Sequence, residues 1–331
     1  MEKETRELMN DQLLAEAAQL YGLSQQDLTY IGGFQNFVYE YDKGGKPFIL
    51  RITHSSHRDM HAIHAELDWV NDLVRYGISV SRPVPNDRGK FVEVIHLDDS
   101  EMFIASFEKA PGNKIFYPEC MNNDELSEKC GELTGQIHAL SRNYAPASTS
   151  RKRHHWMDNE YLKHAHRYIP DEQQQVLANL EELKQQIHRL NQRDETYGLI
   201  HGDINVGNFF VDGEIITLFD FDECQYSWFV EDIAIQLFYM VYVVLDDSLE
   251  ERHVQARRFL EHFLKGYEKH CSIHPDELHH LELFLRLREY IVYVGMYRSF
   301  DLTNLNDWTE TYLRESRSRL EAGIPIVQHL F

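Results

Sequence analysis

His201, Asp203 and Asn208 stand in the string His-Gly-Asp-Ile-Asn-Val-Gly-Asn, and Asp220-Phe221-Asp222 begins twelve positions after its last residue. A carboxylate, an amide five residues on and a further carboxylate, in that order, are the groups that phosphoryl transfer uses. The transferred group spreads negative charge over its oxygens, so a protein has chiefly to orient the acceptor hydroxyl and hold a divalent cation against the phosphates. In that chemistry Asp203 would orient the hydroxyl and accept its proton. Asn208 and Asp220 would offer hard oxygen ligands to Mg²⁺. His201 reads as a brace for the loop.

The elements around these residues suit the task. Tyr197 to His201 reads as a short apolar strand and Asn208 to Val211 as a second. Asp212-Gly213 is a hairpin turn, and Glu214 to Phe219 is a third strand that delivers Asp220 at its end.

The segments His201-Gly-Asp-Ile-Asn-Val-Gly-Asn208, Leu218-Phe-Asp-Phe-Asp222 and Glu231-Asp-Ile-Ala234 resemble the aminoglycoside phosphotransferase and choline kinase-like family of small-molecule kinases. The resemblance implies an α+β, two-lobed protein-kinase-like fold: a small antiparallel β-sheet lobe with one key helix, then a larger, mainly helical lobe. It implies ATP and Mg²⁺, with Asp203, Asn208 and Asp220 in the roles just given. Asp232 is similar to the family's aspartate that opens the next helix and braces the catalytic loop; a negative charge there also suits the helix dipole. The expected division is residues 1–108 for the nucleotide lobe and 109–331 for the catalytic and acceptor lobe.

Before residue 108 the pattern is β-rich. Leu28 to Ile31, Phe37 to Tyr41 and Phe48 to Thr53 read as a three-strand meander. Gly33, Phe34 and Gln35 lie between the first two strands, where backbone N–H groups could approach phosphates. The segment is not G-x-G-x-x-G, and an ordinary hairpin loop is an equal reading. Arg51 sits on the third strand, and Glu66 on an amphipathic helix from about Arg58 to Tyr76. The two resemble the Lys–Glu pair of kinases with Arg in place of Lys, a wider fork than an ammonium; a surface Arg on an edge strand is the plainer alternative. A hairpin from Phe91 to Phe107 leads into Ser106, Glu108 and Ala110, which resemble a hinge whose backbone reads adenine. Pro111-Gly112 is also a simple loop signal.

Beyond residue 113 the periodicity is helical, from Leu126 to Leu140, over 159–192 and over 248–321, with Ile233 to Leu245 as a buried helix. The interval from Asp220 to Asp232 has no room for a protein-kinase activation segment, and Gly202 stands where an arginine would clamp a phosphorylated loop. A small hydroxyl-bearing acceptor is therefore expected: an amino alcohol, amino acid, sugar or aminoglycoside-like compound. A stress-response-type serine/threonine protein kinase and a non-catalytic nucleotide-binding scaffold are the alternatives. Trp156, Tyr226 and Trp228 could flank the acceptor, and Asp222 and Glu223 could hold a cationic group. Core packing explains the aromatics as well, and Asp222 could instead support the metal indirectly.

A chain of 331 residues with 43% apolar content can bury a large core, and its net charge of −21 argues against nucleic acid or an anionic membrane as partner. Residues 5–21 read as one amphipathic helix carrying charges, unlike a signal peptide, so the cytoplasm is expected. Cys120, Cys130, Cys224 and Cys271 show neither metal-binding nor disulfide spacing. His57, His61 and His64 at helical spacing raise a zinc site as a further possibility, with no fourth ligand in evidence.

Overall fold

In the computed structural model, which describes residues 3–330, the chain divides into two compact units. The first runs to Gly112 and also takes in Ala145–Arg153 and Thr217–Asp222; the second holds Asn113–Tyr144, His154–Ile216 and the chain from Glu223 onward. The sequence places a single boundary at 108/109. The structure instead returns two later segments to the first unit: Leu218 forms backbone hydrogen bonds with Ser79 and Ser81, while Arg151 bonds to Asp68 and Arg153 to the Ala62 carbonyl.

The first unit opens with two helices, α1 (Lys3–Leu8) and α2 (Asp11–Leu20), where one continuous helix is expected from sequence. Asn10 divides them: its backbone is extended and its side chain accepts the Leu13 N–H at 3.0 Å, capping α2. The strands β1 (Thr29–Gly32), β2 (Phe37–Asp42) and β3 (Pro47–His54) form the expected meander. Helix α3 (Met60–Arg75) follows, and β4 (Pro83–Val84), β5 (Val92–His96) and β6 (Glu101–Glu108) complete an antiparallel sheet in which β3 lies between β2 and β6. Alternation along β3 sends Leu50 and Ile52 into a cluster with Leu13 and Ala17 of α2. Ile63 and Leu67 of α3 pack with Phe103 and Ala105, and Ala105 pairs directly with Arg51.

The second unit is mainly helical. It contains α4 (Asp124–Ser141), the short α5 (Glu160–Lys163) and α6 (Ala165–Tyr168), and α7 (Gln174–His188). Next come β7 (Tyr197–Ile200), and β8 (Phe209–Asp212) and β9 (Ile215–Leu218) around a turn where Gly213 has φ +59°. The chain enters the first unit at Thr217 and leaves it after Asp222. Strand β10 (Gln225–Trp228), which the sequence reading lacks, pairs antiparallel with β7. Then follow α8 (Phe229–Val241), α9 (Leu249–Tyr267), α10 (Pro275–Leu278), α11 (Leu281–Ser299) and α12 (Asp307–Ala322).

Helices α4 and α9 approach so closely that a Cβ on Gly131 would lie 1.9 Å from the Phe263 carbonyl oxygen, and one on Gly266 1.9 Å from that of Glu128. Only glycine permits that crossing, and it brings His138 of α4 against Tyr267 of α9. Among the described residues no helix is long and apolar enough to cross a membrane, and the four cysteines are buried.

Candidate active site

In the first unit, Arg51 is a buried residue of a central strand, not a surface residue on an edge. Its two terminal nitrogens donate to both oxygens of Glu66, at 2.7 and 2.6 Å. This bidentate fork fixes α3 against β3. One terminal nitrogen of Arg51 lies 3.9 Å from the Asp220 carboxylate, which is half-exposed and whose backbone has φ +63°. Aspartate tolerates that left-handed conformation better than most residues.

The glycine-rich segment is fixed from within the same unit. Gly33 has φ +138°, and a Cβ there would lie 1.9 Å from the Asn36 carbonyl oxygen. Asn36 accepts a hydrogen bond from the Thr53 hydroxyl at 2.7 Å and donates to Asp222 at 3.1 Å. Phe34 is exposed and Gln35 buried. At the expected hinge, the Ser106 hydroxyl bonds to Tyr41, Glu108 pairs with Arg82, and Ala110 is buried. The Glu108 N–H is bound by the Arg82 carbonyl.

Asp222 does not face an acceptor. Its carboxylate is buried and held by His57 at 2.5 Å, Arg58 at 3.2 Å and Asn36, while its carbonyl accepts from Arg58 and Arg153. Burial opposes its charge, but His57 and Arg58 outweigh it and hold the carboxyl well below its usual range. This corrects the reading of Asp222 as an acceptor ligand. It also corrects the three-histidine face, since His57 precedes α3 and is spent on Asp222.

In the second unit, the loop after β7 is ordered by its own side chains. His201 is buried and its Nδ1 accepts the Asp203 N–H at 3.2 Å. The Asn208 amide nitrogen donates to the carbonyl and the Oδ2 of Asp203, each at 2.9 Å. That leaves the Asn208 amide oxygen as a neutral hard donor, the type a divalent cation takes.

Arg288 of α11, which carries no local sequence signal, donates to Asp203 Oδ1, to the Tyr239 hydroxyl and to the Gly202 carbonyl. Its guanidinium also lies over the Tyr239 ring, 4.9 Å from the centroid. Burial raises the Asp203 carboxyl above its usual range, and Arg288 opposes that shift. The loop contains no lysine or arginine of its own; a helix 85 positions away brings a guanidinium to its aspartate.

Asp232 receives the loop from behind. Its oxygens accept the N–H groups of His201 at 2.9 Å and Gly202 at 2.8 Å, and His138 Nε2 lies 3.2 Å away. Gly202, at φ +80°, could carry no side chain: a Cβ would lie 2.4 Å from the Glu223 carbonyl oxygen. Neighbouring Glu231 is different. Burial pushes its carboxyl up to about 7, despite hydrogen bonds from Ser227 and Gln225.

This shift has a pH signature. Above pH 4.5 an unfolded chain gives up the Glu231 proton while the folded chain keeps it to about pH 7, so stability falls through that window and stays lower above it. Glu231→Gln is therefore expected to raise the thermal unfolding midpoint at pH 8, by the equivalent of up to about 3 kcal/mol, with the gain vanishing near pH 4. An equal gain at both pH values would rule out the carboxyl as its cause.

Trp156 and Trp228, expected to flank an acceptor, are core residues. They pack edge to face at 6.1 Å, and Trp228 donates its indole N–H to the Asn191 carbonyl. Tyr226 is half-buried on β10, beside His155. Glu223 is half-buried and electrostatically coupled to Asp203.

A family model described as "Phosphotransferase enzyme family" matches residues 28–268. The chain is 34% identical over 317 residues to the amicoumacin kinase of Bacillus subtilis (strain 168), across 96% of this chain and 93% of that one. Among solved structures it matches amicoumacin kinase hAmiN, in complex with AMP-PNP, Ca²⁺ and Ami, with a TM-score of 0.90 at 34% identity over 99% and 98% of the two chains. A microcompartment-associated aminopropanol kinase shares the fold, with a TM-score of 0.75 at 20% identity over 96% and 100%. These findings bear out the kinase-like fold and the resemblance carried by the loop from His201 to Asn208. The chain belongs to the phosphotransferase enzyme family, as a small-molecule kinase.

Proposed function

We propose that this chain is an ATP- and Mg²⁺-dependent kinase that phosphorylates a hydroxyl of amicoumacin or a compound of its kind. The observation that carries this reading is the 34% identity to an amicoumacin kinase along 96% of the chain. The complex of hAmiN with AMP-PNP and Ca²⁺ supports use of a nucleotide and a divalent cation.

In this reading Asp203 orients the acceptor hydroxyl and takes its proton as the hydroxyl oxygen bonds to the γ-phosphorus. The bond from that phosphorus to the β–γ bridging oxygen breaks, and ADP leaves. The Asn208 amide oxygen and the Asp220 carboxylate are the hard ligands for Mg²⁺; the donor set fits, since the Asn208 nitrogen is engaged by Asp203 and the Asp220 carboxylate is half-exposed. When bound, the cation neutralises charge on the phosphates. Arg51 and the loop at Gly33 to Gln35 serve the nucleotide, Ser106 to Ala110 its base, and His201 and Asp232 hold the catalytic loop in place. Arg288 opposes the burial that raises the Asp203 carboxyl, and aims it.

The test is label transfer from γ-labelled ATP to amicoumacin by the purified chain with Mg²⁺. A labelled product that disappears on chelation of the metal is expected; its absence at saturating acceptor would reject the assignment.

A further inference from the structure

The second unit holds a cleft of about 400 Å³ where the end of α4, the segment before β7, the start of α8 and the link from α9 to α10 come together. Neither Asp203, Asn208, Arg288 nor Tyr239 lines it. The volume is that of a small-molecule site.

The charged groups around the cleft are unequally satisfied. Arg193 pairs with Glu277 at 2.6 Å, and His274 lies 3.4 Å from Asp276. Glu195 is exposed, where water and salt screen its charge. Arg142, the residue that follows α4, is half-buried and has no carboxylate partner among the described residues. Its guanidinium donates to the Ser272 carbonyl at 3.0 Å, and its buried Nε has no acceptor. A guanidinium offers five N–H groups and accepts nothing, so what Arg142 lacks is an oxygen acceptor.

The walls are fixed before any ligand arrives. The Phe229 ring stacks on His138 at 4.5 Å and 20°, and the Arg142 guanidinium lies 5.9 Å from its centroid. The Tyr267 hydroxyl bonds to His138 Nδ1 at 2.9 Å, and the Phe229 N–H donates to the Thr196 carbonyl at 2.9 Å. A cation held between a ring and a carbonyl has little orientational freedom left to lose on binding.

The lining selects among anions. A carboxylate matches the planar fork of one arginine, whereas a phosphate dianion calls for more positive charge than a single unpaired guanidinium supplies. Val230, Tyr267 and Ile273 add apolar surface beside it, which an inorganic ion would leave wet.

We propose that this cleft binds a small organic carboxylate, with its charged end on Arg142 and an apolar body against Val230 and Ile273. The site stands whether or not Asp203 serves the acceptor.

Calorimetric titration of the full chain with 3-phenylpropanoate, its neutral amide 3-phenylpropanamide and inorganic phosphate tests it. The acid should bind saturably to one site, at least tenfold more tightly than the amide or phosphate. Its affinity should be the same when AMP-PNP and Mg²⁺ are present. Arg142→Gln should weaken acid binding at least tenfold. Ser272→Trp, which fills the cleft from an exposed position and leaves Arg142 in place, should abolish it. Absence of saturable binding of the acid up to about 10 mM, an affinity weaker than about −3 kcal/mol, overturns the site. So does equal affinity for the amide, which removes the role of the charge, or for phosphate, which removes that of the apolar body. Competition by AMP-PNP, or binding that both variants leave unchanged, places the acid elsewhere and overturns it as well.

Discussion

Asp203→Asn is expected to lower kcat for phosphoryl transfer by about 10³-fold, near the middle of the range for loss of a general base. Asparagine keeps the shape, and its amide oxygen can still accept from Arg288, which retains its contacts to Tyr239 and the Gly202 carbonyl. What is lost is the negative charge that takes the hydroxyl proton. Nucleotide affinity should hold within a few-fold, because Arg51, Glu66 and the Gly33 loop belong to a separately packed unit. Steady-state kinetics paired with calorimetric titration of AMP-PNP would check both halves. A variant that keeps a tenth or more of wild-type kcat would show that Asp203 does not receive the proton.

Legibility of the site in the sequence followed distance along the chain. The catalytic loop, the hairpin that carries it towards Asp220, and the helix bearing Glu66 depend on local periodicity and turn chemistry, and each lies close to where the residues imply. Arg288 could not be read in the same way: an arginine in the middle of a helix has no local signal, and its partner Asp203 is 85 residues away. His138 is similar: its partner Asp232 lies 94 residues further along, in α8.

Residue type leaves two roles open for Trp156, Trp228 and Asp222, and burial decides what they contact. An aromatic residue that can stack on a ligand can equally fill a core, and a carboxylate beside a metal ligand can be spent on His57 and Arg58.

Asp232→Ala is expected to be the most damaging single substitution to the second unit. Three buried donors, the N–H groups of His201 and Gly202 and the imidazole of His138, lose their acceptor at once. The carboxyl is itself held below its ordinary range: burial opposes the charge, but the His138 hydrogen bond and the positive potential of His138 and His201 outweigh it. Its stabilising contribution is therefore present at neutral pH and lost as the pH falls through the lowered value. Removing such a partner typically costs about 3 to 5 kcal/mol. Because two of the orphaned donors are consecutive backbone groups just before Asp203, kcat should fall even at temperatures where the variant stays folded. Asp232→Asn should be intermediate: its amide oxygen can accept from one backbone N–H, while its nitrogen opposes the other. Urea unfolding at pH 7, with turnover measured well below the transition, separates the two effects. If the alanine variant loses under 1 kcal/mol, the loop is held by something other than Asp232, and the shared bracing of His201 and Gly202 would have to be assigned elsewhere.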